Sequence, residues 1–200
     1  MKPLLIYGSS EFGRTVKSLA RRCGREVAGF VDDFNQGPEI LGNFDFASER
    51  FPASTHEFVL AVGYRHLRAR WTLLGRLLAK GYALPSLIHP RAIIETSKIG
   101  MGSIALAGAI VDESSEIGEL CVLWNGANIS HDCRIGANSF IAPSATICGF
   151  SSIGENCFIG ANSTLTERTS IEGGRFVRAG SLVTPATAEN LPLFDPARAS

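Results

Sequence analysis

Ile129-Ser130-His131-Asp132-Cys133-Arg134-Ile135-Gly136-Ala137-Asn138-Ser139-Phe140-Ile141 returns an aliphatic residue at every sixth place. Followed backward, the same rhythm passes through Leu123, Ile117, Val111, Ala105, Ile99 and Ile93. Followed forward, it passes through Ile147, Ile153, Ile159, Leu165, Ile171, Val177 and Val183. Four residues after each sits a small side chain, among them Ser115, Cys121, Ala127, Cys133, Ser139, Ala145 and Cys157, with Arg175 the one large exception. Glycine often follows the aliphatic residue directly, as at Gly100, Gly118, Gly136, Gly154 and Gly160.

A period of six matches neither the helical 3.6 nor the strand 2. It fits short strands joined by tight corners. The small residue and the next aliphatic one are two places apart and share one side of a strand, while the residue between them faces away. The residues just after the aliphatic one turn the corner, where glycine and asparagine tolerate positive φ. Three sides close a coil of about eighteen residues, and coils stack in parallel about 4.8 Å apart. Each buried Ile or Leu then contributes roughly 1.5–3 kcal/mol to a dry core, and the small positions are small because the triangular interior is narrow. The expectation is a parallel β-helix of about five coils over residues 93–183, with Leu87 available to start its first side.

Residues 1–86 lack this period. They predict a strand at Leu4–Tyr7, a helix from Glu11 to Cys23, a strand at Val27–Val31, a strand at Phe58–Val62 and a helix from His66 to Lys80. In the last helix Leu67, Trp71, Leu74 and Leu78 form an apolar stripe. That order implies a small parallel sheet of βαβ type. The segment Asn35–Pro52, rich in Phe, Gly, Asn and Pro, reads as an irregular loop. The chain therefore divides into a βαβ unit at 1–86, a repeat unit at 87–185 and an Ala- and Pro-rich tail at 186–200 outside the repeat.

Bulk composition narrows the functional classes. An apolar fraction of 45% with 19% charged residues fits a folded chain. Nineteen basic residues balance nineteen acidic ones, so no net field recruits nucleic acid or a membrane surface. The apolar run at the N-terminus is far too short for a signal peptide or a span. Five cysteines with no CxxC pair argue against a disulfide framework or zinc knot. The expectation is a cytoplasmic protein.

Gly8-Ser9-Ser10-Glu11-Phe12-Gly13 follows the first strand and opens the first helix, where backbone N–H groups and the helix dipole favour an anion. Asp32-Asp33 ends the second strand, at the spacing where a nucleotide-binding βαβ unit places a ribose-binding carboxylate. Arg14 stands where a P-loop needs lysine, which excludes that motif. A sugar-nucleotide site and a purely structural strand–turn–helix both remain open for this segment. Arg65 and Arg68 follow the third strand and either reach a diphosphate or lie on a solvated helix face. His131 occupies a corner and so cannot be a core residue. It is either a surface histidine or a base oriented by Asp132. The other histidines precede the repeat, which excludes a three-histidine metal site and predicts no metal. Cys121, Cys133 and Cys157 fall on the small inward position and read as packing.

With these residues in view, the chain resembles the sugar O- and N-acyltransferases typified by sialic acid O-acetyltransferases and bacterial UDP-4-amino-sugar N-acetyltransferases. The resemblance rests on Ile6-Tyr7-Gly8-Ser9-Ser10, Phe30-Val31-Asp32-Asp33, Ala61-Val62-Gly63, Leu87-Ile88-His89-Pro90, the His131-Asp132-Cys133 corner and the terminal Pro196-Ala197-Arg198. It implies a left-handed β-helix, a homotrimer with sites between subunits, and acetyl-CoA as co-substrate. The acceptor it implies is a nucleotide-linked 4-amino sugar of cell-surface polysaccharide biosynthesis. By the same resemblance His131 matches the catalytic base, Asp132 the acid beside it, and Gly149 the N–H donor to the acetyl carbonyl. Ala161, Arg178 and Ala179 match positions along the CoA arm, and Ser10, Asp32 and Arg68 match positions holding the nucleotide sugar. Three departures stand out: Phe12 for a histidine in the glycine loop, Trp124 for an asparagine near the acceptor sugar, and Phe194-Asp195 for Gly-Val. The alternatives are O-acetylation of a sugar hydroxyl, a non-catalytic nucleotide-sugar-binding trimer, and acylation of an amino acid. The βαβ unit disfavours the last of these.

Overall fold

The computed structural model describes residues 1–195. The chain forms two compact units that meet in sequence between Leu87 and Ile88.

In the first unit, β1 (Leu4–Tyr7) lies between β2 (Val27–Val31) and β3 (Glu57–Leu60), and both pairings are parallel. Leu4, Leu5 and Ile6 are fully buried, the continuous apolar run expected of a parallel strand covered on both faces. Helix α1 (Glu11–Arg22) buries Phe12, Val16, Leu19 and Ala20. The segment expected to be irregular contains a further helix, α2 (Phe44–Arg50). Asn43 caps it by accepting from the Phe46 N–H at 3.0 Å, and Asp33 Oδ1 accepts from the Phe44 N–H at 2.7 Å. Seven residues with two phenylalanines are too few to display a helical stripe, so the helix rests on its caps and on buried Phe44. Helix α3 (Leu67–Ala79) buries Leu67, Arg70, Leu73, Leu74 and Leu77. Its inward face is therefore turned from the expected one: Leu78 is 46% exposed and Trp71 half-buried, while Arg70 is buried with Nη1 donating to the Val62 carbonyl at 2.6 Å.

The second unit is a parallel β-solenoid of about five turns. Two-residue strands stack in three ladders, with residue n paired to residue n + 18, as Asn128 with Thr146 and Ile129 with Ile147, except at the start, where Ile93 pairs with Ile110. The aliphatic positions from Val111 to Val183 are buried and form one core with Ala109, Cys121, Ala127, Cys133, Ala145 and Cys157. Ala105 is also buried, beside Ile104, whereas Ile93 at the start of the series is exposed.

The small inward position is more than a spacer. The Ser139 hydroxyl donates to the Gly154 carbonyl at 3.0 Å and accepts from the Cys157 N–H at 3.1 Å. Ser103, Ser115 and Ser151 make the same pair of bonds, and the thiols of Cys121, Cys133 and Cys157 donate to carbonyls fifteen residues ahead. A hydroxyl or thiol here links coils in a core that otherwise has no polar partner to offer.

Corner chemistry also departs from expectation. The left-handed residue is always the third after the aliphatic one, from Gly102 to Gly180, and nine of these positions are not glycine. They include Leu120, Phe150 and Arg168, so the ladders on either side impose the turn regardless of side chain. The glycines directly after the aliphatic residue serve another purpose. A Cβ on Gly118 would stand 2.6 Å from the Ala137 nitrogen, in the backbone of the next coil.

The tail leaves the repeat and folds back onto the solenoid. Helix α4 (Pro185–Ala188) starts at a capping box on Thr184 and places Ala188 in the solenoid core. The chain then returns, with the Phe176 N–H donating to the Pro192 carbonyl and the Phe194 N–H to the Gly174 carbonyl. Phe158 and Phe176 stack at 5.3 Å, and Phe194 leans on both. Arg175 is the large exception because it meets this return: Nη1 donates to the Leu191 carbonyl at 2.8 Å, and its guanidinium pairs with Glu172. Pro196-Ala197-Arg198 lies outside the described residues. Among the described residues no helix is long and apolar enough to cross a membrane.

Candidate active site

Two sites emerge, one in each unit. In the α/β unit a cavity of about 600 Å³ opens beyond the carboxyl ends of the strands, the expected ligand position in such sheets. Gly8, Ser9, Ser10, Asp32 and Asp33 line it; Arg65 and Arg68 do not and are exposed. Phe12 is buried and is not among the lining residues. Residues without a sequence signal join instead: Phe34 and Asn35 from the loop after β2, and His66, Ala69, Thr72, Leu73 and Arg76. The last five sit at helical spacing on the start and one face of α3, a signal that would have found Arg76.

Asp32 is the knot of the cavity wall. Oδ2 accepts from the Ser9 N–H at 3.0 Å, the Ser9 hydroxyl at 2.6 Å and the Asn35 amide at 3.1 Å. Oδ1 accepts from the Phe34 and Asn35 N–H groups at 3.0 and 2.9 Å. Burial alone would raise its pKa, but these donors outweigh it and hold the carboxyl far below the ordinary range. Asp33 accepts from Phe44 N–H and from Arg76 Nη1 at 3.3 Å. Arg76 Nη2 reaches Asp45 at 3.0 Å, and its guanidinium lies 4.1 Å over the Phe44 ring. Burial, followed by the hydrogen bond to Asp33, pushes the Tyr7 phenol well up. Arg76 is thus a cation fixed at the cavity by three partners.

In the solenoid, register puts His131 one coil below Gly149. A Cβ on Gly149 would stand 2.8 Å from His131 Cε1 and 2.9 Å from Nε2, so the imidazole lies directly against the glycine. Nδ1 is 2.9 Å from Asp132 Oδ2, which leaves Nε2 for chemistry when Nδ1 carries the proton. The imidazole is half exposed. Sequence did not signal the ring's other neighbour: Phe150 meets it edge-to-face at 5.1 Å and 86°. Arg168 covers Phe150, its guanidinium carbon 4.5 Å from the ring centroid. Phe150 has φ 59° and Arg168 φ 60°, conformations uncommon for bulky residues.

Ala161, Arg178 and Ala179 belong to a different corner. Ladder pairing of Leu123, Ile141, Ile159 and Val177 aligns Trp124 with Arg178, and Ala161 with Ala179. His131, Asp132 and Gly149 follow the ladder of Ile129 and Ile147. Within one chain the prism separates these two groups. Among the described residues no cluster of three His, Cys, Asp or Glu side chains is arranged to hold a metal.

Comparison with known proteins bears on both units. Residues 3–73 match the model described as PglD N-terminal domain. Residues 132–167 match bacterial transferase hexapeptide (six repeats), and residues 151–185 match the hexapeptide repeat of succinyl-transferase. No curated protein sequence matches. Among solved structures, the acetyltransferase domain of PglB from Neisseria gonorrhoeae is 27% identical. The alignment covers 92% of this chain and 91% of that one, with a TM-score of 0.85. A structure of that domain in complex with acetyl coenzyme A aligns at 25% identity over 92% and 93% of the chains, with a TM-score of 0.80. PerB from Caulobacter crescentus, in complex with CoA and GDP-perosamine, is 27% identical over 92% and 89%, with a TM-score of 0.83.

Proposed function

We propose, from the premise that this chain belongs to the hexapeptide-repeat sugar acyltransferase family, that it moves an acetyl group from acetyl-CoA to an amine on a nucleotide-linked sugar. The observation that carries this reading is the placement of His131 Nε2 against Gly149, with Nδ1 held by Asp132. PerB, in its complex with CoA and GDP-perosamine, and the PglB domain with acetyl coenzyme A support the substrate pair.

In the proposed reaction the sugar amine attacks the thioester carbonyl carbon while His131 Nε2 takes the amine proton. The Gly149 N–H stabilises the oxyanion as charge develops there. The tetrahedral intermediate collapses with cleavage of the carbon–sulfur bond, and the imidazolium returns its proton to the departing CoA thiolate. Asp132 keeps Nδ1 protonated and the ring in place. The α/β cavity holds the nucleotide, with Arg76 and the open start of α1 facing its phosphates.

The two-corner arrangement supports a homotrimer. The base corner of one copy and the Ala161, Arg178 and Ala179 corner of another would complete a donor site that a single prism divides. Trp124 shares that second corner and would stand near the acceptor sugar. The same proposal assigns the reaction to the cytoplasm.

The test is incubation with acetyl-CoA and a panel of UDP-, GDP- and dTDP-linked 4-amino sugars, read by mass spectrometry. An N-acetylated product is expected from at least one. An ester-linked product from a hydroxyl sugar, with no amide from any amine, would move the assignment to O-acetylation.

A further inference from the structure

Phe34 is 93% exposed, yet it lines the α/β cavity. A single exposed apolar side chain is ordinary on a protein surface. Phe34 differs in how firmly its backbone is fixed, since its own N–H and that of Asn35 both donate to Asp32 Oδ1, and the Asn35 amide donates to Oδ2. The backbone that carries the ring is therefore fixed by a loop tied through Asp32 to Ser9, and the ring borders the cavity while remaining almost fully exposed.

The carboxylates beside it are already occupied. Asp32 accepts five hydrogen bonds, against roughly four lone-pair sites on a carboxylate. Asp33 accepts from Phe44, Arg76 and Tyr7. Asp32 therefore has no capacity left to read the donor edge of a base or a ribose hydroxyl without breaking the wall that shapes the cavity, while Asp33 keeps about one acceptor site. What the cavity offers a planar ligand is the uncovered face of a phenyl ring, with a fixed cation, Arg76, also in its wall.

We infer that Phe34 is the platform on which the nucleobase of the acceptor stacks, and that Asp32 is a positioning residue, not a base-reading one. This inference rests on the nucleotide-binding role proposed above. Stacking on an aromatic ring accepts any base, because every base has a π-face, so the platform recognises a nucleoside diphosphate as a class.

Calorimetry on the full chain with UDP and GDP tests it, using Phe34→Ala and Phe34→Trp. Because the side chain is exposed, Phe34→Ala should leave thermal unfolding and acetyl-CoA affinity unchanged. It should weaken both nucleotides by about tenfold, within the usual worth of one stacked base. Phe34→Trp should bind within about twofold of wild type and show nucleotide-dependent fluorescence quenching beyond that of the native Trp71 and Trp124. Wild-type affinity in Phe34→Ala, or binding by Phe34→Trp without added quenching, would overturn the platform while leaving the nucleotide site standing. A wild-type protein that binds acetyl-CoA but neither UDP nor GDP would overturn the nucleotide site and the platform together.

Discussion

The two units place chemistry by opposite means. In the solenoid, position follows from arithmetic: His131 and Gly149 are eighteen residues apart, and the ladder that pairs Ile129 with Ile147 brings them together. In the α/β unit, Ser9, Asp32 and Arg76 share one cavity wall with no fixed spacing between them. The solenoid tolerates almost any residue at its corners, as Phe150 and Arg168 in left-handed geometry attest. The cavity depends on one carboxylate, Asp32, that accepts five hydrogen bonds. A repeat makes a site robust in backbone and sensitive to a single atom added at a contact. An aperiodic loop makes a site sensitive to its hub.

The sharpest break of that contrast is Gly149→Ala. Gly149 is not in the left-handed region, so the fold should survive, but the new Cβ would enter the space of the imidazole 2.8 Å away. Displacing a base by about an ångström costs on the order of 10²-fold in rate, so kcat should fall about that much while denaturant unfolding barely moves. A large loss of stability instead would mean that the corner is less tolerant than its occupants suggest.

Asp32→Asn reverses the pattern. It removes the hub and should cost stability, about 1–3 kcal/mol for donors left unsatisfied, together with nucleotide affinity, while acetyl-CoA affinity is unchanged. The pH dependence has a definite sign. The native carboxyl titrates below the unfolded one, so its stabilisation is present above the ordinary carboxylate range and is lost as pH falls through the native value. Urea titrations should show the gap between wild type and Asp32→Asn narrowing toward acid. A gap independent of pH would count against the hub.

The smallest effects separate cavity cations from surface ones. Arg76→Ala should weaken UDP and GDP by about tenfold, the scale of one charged hydrogen bond. Arg68→Ala should change affinity by less than about twofold, because the residue does not line the cavity. The opposite order in calorimetry would return the diphosphate to Arg65 and Arg68.

How much was legible follows the same division. The solenoid, its small inward column and the His131–Gly149 register could be read because three sides of period six close a coil every eighteen residues, whereas the hand of the coil could not. The reason for serine and cysteine in that column could not: a donor to a carbonyl fifteen residues ahead is visible only once coils are stacked. Phe150 carried no signal because its corner accepts any side chain. In the α/β unit the three strands and their parallel sheet were clear, whereas α2 was hidden in an Asn- and Gly-rich stretch. The face of α3 was misjudged because Arg70 is buried and Leu78 is not. Arg76 escaped notice because sequence proximity to a strand end favoured Arg65 and Arg68, while the cavity recruits α3 further along.

In the proposed reaction the acetyl group moves at the corner of His131. Steady-state turnover of His131→Ala with acetyl-CoA and an accepted nucleotide amino sugar tests it directly, alongside acetyl-CoA binding by calorimetry. The expected result is a kcat lower by roughly 10²–10⁴-fold, the usual contribution of a general base, with donor affinity nearly unchanged. Near-wild-type turnover in a folded His131→Ala protein would contradict it and place the base elsewhere.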